Sequence, residues 1–269
     1  MALRTPSSEE INALAQYLGH ALGEALQCVV LHGSQAREPA GVSEHPGGGD
    51  ADLVIVVADI AMDRAPRLVE QVRWAAPFRG LNLALNCVGY HGLCEALSVG
   101  HPFFVSAVET GICVDSIDGC WDSLRAITAA PGYRVDRGEV EQMLQHWARA
   151  ESRRAEQSLR EVYRSLVNLT YNAAQRSVLP AAPDSLDAAG IVMLAQWPEL
   201  FANVHRTRLA QEHQDLLAEV YAARGQISRG ETPALGADLH TALAELQNLT
   251  LGSPDARQSP ESPPDTHSR

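Results

Sequence analysis

The sequence predicts a mixed α/β domain followed by an all-α domain. Short runs of β-forming residues alternate with helical periods up to about residue 128. Beyond Ala129-Ala130-Pro131-Gly132-Tyr133 only helical patterning remains. The composition agrees: alanine and leucine are abundant and aromatics make up 5%. These breaks divide the chain into an α/β domain (1–128), a linker (129–138), a helical domain (139–250) and a disordered tail (251–269) whose Ser, Pro and Gly cannot bury a core.

Taken in order, Ser7 to Leu26 reads as a helix, with Ser7 and Glu10 as a capping box and Ile11, Leu14, Leu18, Leu22 and Leu26 on one stripe. Cys28 to Leu31 is a buried strand that ends in a His32-Gly33-Ser34 turn. Ala36 to Gly49 is a Gly-, Pro- and Ser-rich loop. Ala51 to Val57 is a second strand, Arg64 to Ala75 a helix, and Leu81 to Val88 a half-buried strand. Gly92 to Val108 is helical with a break at Gly100-His101-Pro102, and Ile112 to Val114 is a last short strand. The second half reads as helices over Glu139 to Leu179, Asp187 to Trp197, Arg206 to Arg224 and Ala234 to Leu249.

Charge and residue usage narrow the function. A formal net charge of -12 and a pI near 5.2 repel polyanions, so nucleic acid is not an expected partner. All 21 basic residues are arginine, which excludes P-loop and Schiff-base chemistry. No segment is apolar enough to span a membrane, and MALRTPSSEE does not read as a leader. Five cysteines without a secretion signal fit reduced thiols, so a cytoplasmic location is expected. Cys87, His91, Cys94, Cys113 and Cys120 have no standard zinc spacing, and buried free thiols are the plainer reading.

Chemistry concentrates in Val29-Val30-Leu31-His32-Gly33-Ser34-Gln35-Ala36-Arg37 and Gly47-Gly48-Gly49-Asp50-Ala51-Asp52-Leu53-Val54. The first segment brings a strand into a Gly-Ser turn where backbone approaches a phosphate closely. The Ser34 hydroxyl is a further donor, and the planar fork of Arg37 suits a phosphate. Asp50 and Asp52 alternate along a strand and so project from one face, as hard oxygen ligands for Mg²⁺.

These residues resemble the signature of the DNA polymerase beta-type nucleotidyltransferases. The Gly-Ser-x-Ala-Arg form is most similar to the minimal and antibiotic nucleotidyltransferases, over roughly the first 120 residues. The resemblance implies that Gly33, Ser34 and Arg37 hold a triphosphate, and that Asp50 and Asp52 are catalytic and bind Mg²⁺. It implies an enzyme that transfers a nucleoside monophosphate, AMP from ATP, to a hydroxyl acceptor with release of pyrophosphate. The acceptor is a small molecule or a protein side chain.

Two departures stand out. The 15 residues between Ser34 and Asp50 exceed the usual family spacing, an extension that loop entropy tolerates. The family's third carboxylate, on the next strand, is missing, and Asn82 stands as its neutral replacement. A base from the helical domain is an alternative, with Glu141, Glu151, Glu156 and Glu161 as candidates, although a solvated helix face is the plainer reading of each. A catalytically weak nucleotide-binding regulator or toxin–antitoxin-like module is the competing reading.

The helical half resembles a HEPN-type bundle in its helix lengths, in Tyr171 and Tyr221, and in Leu217 to Arg224. Ribonucleases of that family carry an Arg, a short gap and a His, a pattern that Arg208 and His213 match weakly. Bundles of this type often dimerise, so a homodimer is an expectation. Along one continuous helix from Glu139, the residues Arg149, Arg153, Arg160 and Arg164 share an arc of about 60°. A solvated face with glutamate partners is the plainer reading of this stripe; a phosphate-attracting surface is the sharper one.

Overall fold

The computed structural model describes residues 4–37, 51–228, 235 and 238–251. The predicted tail lies outside them from residue 252 onward, as do the loop residues 38–49 and Asp50.

Helix α1 (Ser8–Leu22) starts at the predicted capping box: the Ser7 hydroxyl accepts from the Glu10 amide at 3.3 Å, and Glu10 accepts from the Ser7 amide at 2.9 Å. It ends four residues earlier than the periodicity predicts. Gly23 leaves the helical region at φ 57°, a single turn spans Gly23–Ala25, and Leu26 opens β1 (Leu26–His32). There follow α2 (Ser34–Arg37), β2 (Ala51–Val57), α3 (Ala65–Trp74), β3 (Leu83–Gly89), α4 (Tyr90–Ser98), α5 (Pro102–Thr110), β4 (Ile112–Ser116) and α6 (Cys120–Thr128). The helix α6 is not predicted.

The four strands form one mixed sheet in the order β3-β2-β1-β4. β1 pairs antiparallel with β2 and β4, and β2 pairs parallel with β3 across the α3 crossover. Strand parity divides the sheet's side chains between two cores. Val29, Leu31, Leu53, Ile55 and Val57 pack against α1 and α3 through residues such as Leu14, Leu18, Val69 and Val72. Cys28, Val30, Val54 and Val56 face Leu93, Leu97, Val105 and Leu124 of α4, α5 and α6. A sheet covered on both faces explains why β1 and β2 read as unbroken apolar runs.

The second core also takes in Val135, Val140, Leu144, Leu186, Ile191 and Leu194, so it runs through residues 129–138 into the helical half. There β5 (Val135–Asp136) pairs antiparallel with β6 (Ser185–Leu186), a two-residue ladder inside a half predicted to be purely helical. Tyr133 donates its hydroxyl to the Leu97 carbonyl at 2.6 Å. Gly100 sits at φ 70°, and a Cβ there would lie 2.9 Å from Val135 Cγ2 and 3.0 Å from Ile191 Cδ1. The backbone of the α4–α5 corner therefore touches the second half directly.

The predicted helix from Glu139 to Leu179 is two helices, α7 (Arg137–Ala155) and α8 (Leu159–Val178). Ser158 is the cap that starts the second, accepting from the Glu161 amide at 3.3 Å. The two run antiparallel, because Ser165 donates to the Glu151 carbonyl at 2.9 Å and Asn172 donates to that of Leu144 at 2.8 Å. With α10 (Trp197–Val204), α11 (Gln211–Ser228) and α12 (Leu239–Leu251) they enclose a third core around Leu166, Leu169, Leu200, Leu217 and Leu246, while α9 (Ala188–Ala195) packs its Ile191 and Leu194 into the second. α9 stops before Trp197, which opens α10 with Pro198 in its first turn. Among the described residues no helix is long and apolar enough to cross a membrane.

Candidate active site

Of the predicted site residues, the structure brings the Gly33 turn and Asp52 together where β1 and β2 meet. β1 ends at His32, and Gly33 turns the chain at φ 80° into α2, with the Ala36 amide donating to the Gly33 carbonyl at 3.3 Å. Ser34 and Arg37 are the first and last residues of α2. β2 returns antiparallel with Asp52 in register with His32. A Cβ built on Gly33 would lie 2.7 Å from Asp52 Oδ2. The half-buried carboxylate of Asp52 thus rests against the turn, in space that any side chain at position 33 would take. Its hard oxygens fit Mg²⁺ chemically. Its predicted partner Asp50 lies outside the described residues. Among the described residues no group of three or more His, Cys, Asp or Glu side chains is placed to hold a metal.

The neighbouring strand supplies no acid. β3 reads Leu-Ala-Leu-Asn-Cys-Val-Gly, with Ala84 in register with Asp52 and Asn86 with Val54. Asn82 is buried and stands just before β3, where its carbonyl accepts from the Ala51 amide at 2.9 Å and its amide donates to the Arg4 carbonyl at 2.7 Å. It keeps the parity of Ala84 and Asn86, and its backbone secures the start of β2.

A residue the sequence reading passed over stands opposite Asp52 on the other neighbouring strand, β1. His32 is 7% exposed, its Nε2 and the Ser106 hydroxyl share a hydrogen bond of 3.1 Å, and its ring meets Phe103 edge-on with centroids 5.3 Å apart. Ser106 and Phe103 both belong to α5. The available signal was parity: His32 follows Cys28 and Val30 on one face of its strand, and only the register of β2 shows that Asp52 shares that face.

The four glutamates considered as bases lie on the α7–α8 hairpin. Glu141 is 3.6 Å from Arg176, and Glu161 in the first turn of α8 is 3.8 Å from Arg154. Glu156 is exposed just past α7. Glu151 is buried, 2.6 Å from Arg154 Nη1 and 3.3 Å from the Ser165 hydroxyl, beside Ala148 and Ala155 of the third core. Its charge is committed to holding the hairpin together. The arginine stripe does not exist as predicted: Arg149 and Arg153 are on α7, Arg160 and Arg164 on α8, and the turn between the helices breaks the shared arc. Arg208 is exposed ahead of α11, and His213 is half-buried in that helix's first turn. All five cysteines are free thiols; burial pushes Cys28 well above the usual thiol range and Cys87 up to about 11, so both are neutral near pH 7.

No protein-family model matches the chain, and no curated protein sequence does. Among solved structures it is similar to the spectinomycin adenyltransferase from Enterococcus faecialis, crystallised with ATP and spectinomycin. The two share 13% identity over 91% of this chain and 99% of that one, with a TM-score of 0.51. At that identity the likeness is one of fold. A nucleotidyltransferase-like protein from Exiguobacterium sibiricum matches at 14% identity over 91% of this chain and 77% of that one, with a TM-score of 0.33, too distant to carry an argument.

Proposed function

We propose that the chain is a nucleotidyltransferase that moves AMP from ATP to a hydroxyl acceptor and releases pyrophosphate. The observation that supports it best is the Asp52 carboxylate seated against the Gly33 turn, within a fold like that of an adenyltransferase crystallised with ATP. Asp50 and Asp52 would hold Mg²⁺, which when bound offsets triphosphate charge and activates the attacking hydroxyl. Gly33 lets backbone approach a phosphate, and the Ser34 hydroxyl and Arg37 guanidinium bind its oxygens. The acceptor hydroxyl oxygen attacks the α-phosphorus and gives up its proton to solvent water, as the bond from the α-phosphorus to the oxygen bridging to the β-phosphate breaks and pyrophosphate leaves with that oxygen. The neighbour's spectinomycin favours a small-molecule acceptor over a protein side chain. We place the enzyme in the cytoplasm and read its second half as a HEPN-like bundle able to pair into a homodimer.

The test is incubation with labelled ATP, Mg²⁺ and a panel of aminoglycosides and proteins, comparing wild type with the Asp50→Ala/Asp52→Ala double variant. Label transfer should fall by about 100-fold or more in the variant, as displacement of a reacting group does. The acid-free β3, with Ala84 and Asn86 beside β2, favours a second reading as a nucleotide-binding regulator. ATP binding without pyrophosphate release, tolerant of Asp52→Asn, would establish that reading instead. RNA cleavage lost in His213→Ala and indifferent to Asp50→Ala would point to the helical half.

A further inference from the structure

We propose that His32 is a positioning residue of this site, holding the Asp52 carboxylate and the Gly33 turn in place through its anchorage on α5; the inference rests on the nucleotidyltransferase reading. His32 and Asp52 face one another across β1 and β2, and cross-strand partners in such a pair have Cβ atoms about 4.5–5.5 Å apart. The carboxylate lies over the residue that follows His32, since a Cβ on Gly33 would meet Asp52 Oδ2 at 2.7 Å. His32 is therefore next to Asp52 both across the sheet and along the turn.

The other residues on this face of β1, Cys28 and Val30, fill the core with small apolar groups. An apolar side chain would serve packing equally well at position 32. An imidazole there has its orientation fixed instead: Nε2 is bonded to Ser106 at 3.1 Å and the ring edge meets Phe103. Ser106 is wholly buried, and its carbonyl accepts from the Thr110 hydroxyl one turn on, so the anchor sits inside the packed core. α5 bears in turn on α9, whose Ile191 and Leu194 belong to the same core as Val105 and Val108. The polar contact thus ties the end of β1, from which the turn departs, to the part of the fold shared by both halves. A partner one shell out from a ligating carboxylate commonly sets metal affinity by 10- to 100-fold.

The experiment compares wild type, His32→Leu, His32→Gln, Ser106→Ala and Asp52→Asn in two assays. One is Mn²⁺ binding by electron paramagnetic resonance with a non-hydrolysable ATP analogue; the other is steady-state transfer of label from ATP. Thermal unfolding reports folding of each variant. His32→Leu should weaken Mn²⁺ binding about 10-fold and lower kcat by a similar factor, with KM for ATP changing less. His32→Gln, whose amide can reach Ser106, should recover most of both, and Ser106→Ala should move them part of the way. A folded His32→Leu protein that binds Mn²⁺ like wild type overturns the proposal. So does a Gln variant no better than Leu, which leaves packing as the whole role. Mn²⁺ binding that Asp52→Asn leaves unchanged sinks the metal role of Asp52 and the positioning role with it. Mn²⁺ binding sensitive to both residues, without label transfer, overturns only the transferase reading.

Discussion

Gly33→Ala separates the cost of a strained backbone from the cost of a displaced carboxylate. Two effects act at this position. At φ 80° the backbone is in the left-handed region, where a Cβ costs about 1–2 kcal/mol, partly offset by about 0.4–1 kcal/mol from a stiffer unfolded chain. Independently, the new Cβ meets Asp52 Oδ2 at 2.7 Å, so the carboxylate or the turn must move by about 0.7 Å to reach ordinary contact near 3.4 Å. Gly132 is the control: it has φ 83° with nothing within 4 Å of its Cβ position, so Gly132→Ala carries only the first cost. Gly132→Ala should lose about 1 kcal/mol and a few degrees of Tm, and Gly33→Ala at least as much, since its Cβ must also displace the carboxylate or the turn. Only Gly33→Ala should lose catalysis, by roughly 10- to 100-fold in kcat/KM, because a 1 Å misplacement near reacting atoms costs about 100-fold. Thermal unfolding and labelled-ATP transfer on the same preparations measure both. Equal kcat/KM in the two variants would refute the view that Asp52 depends on the empty space at position 33.

Two further outcomes are expected. Gly100→Ala drives a Cβ into Val135 and Ile191 from a left-handed backbone, so it should destabilise by about 2–4 kcal/mol while leaving a single unfolding transition in urea. His101 has its Nδ1 buried with no hydrogen-bond partner among the described residues; burial lowers its pKa to about 4, and a charged ring at the start of α5 would also oppose the helix dipole. The unfolded chain takes that proton first, so stability should be full above about pH 6.5 and fall towards pH 4, by up to about 3 kcal/mol, a loss that urea titrations should find reduced in His101→Gln.

What could be read from residues alone follows local physics. The Ser7–Glu10 capping box, the apolar runs of β1 and β2 and the Gly33-Ser34 turn are short-range signals, and each stands where the sequence places it. The break between α7 and α8 escaped because Glu156-Gln157-Ser158 has neither glycine nor proline. Only the antiparallel packing of the two helices, with Ser158 acting as a cap, makes that break worthwhile. The arginine stripe failed with it. In the site, Gly33 and Asp52 were legible as residue types, but their contact depends on strand register. His32 was hidden for the same reason, since a histidine in an apolar strand looks like packing until Asp52 is placed beside it.

The core that runs from Val54 through Val105 to Ile191 makes this chain a poor candidate for modular reuse. A cut near residue 129 would strip Val135 and Ile191 from the Gly100 corner and leave both fragments with raw apolar faces. Grafting the helical half of another protein would have to reproduce that corner to within a few tenths of an ångström. Diversification of what this fold accepts is therefore steered towards exchanging side chains on an inherited frame, and away from shuffling its two halves.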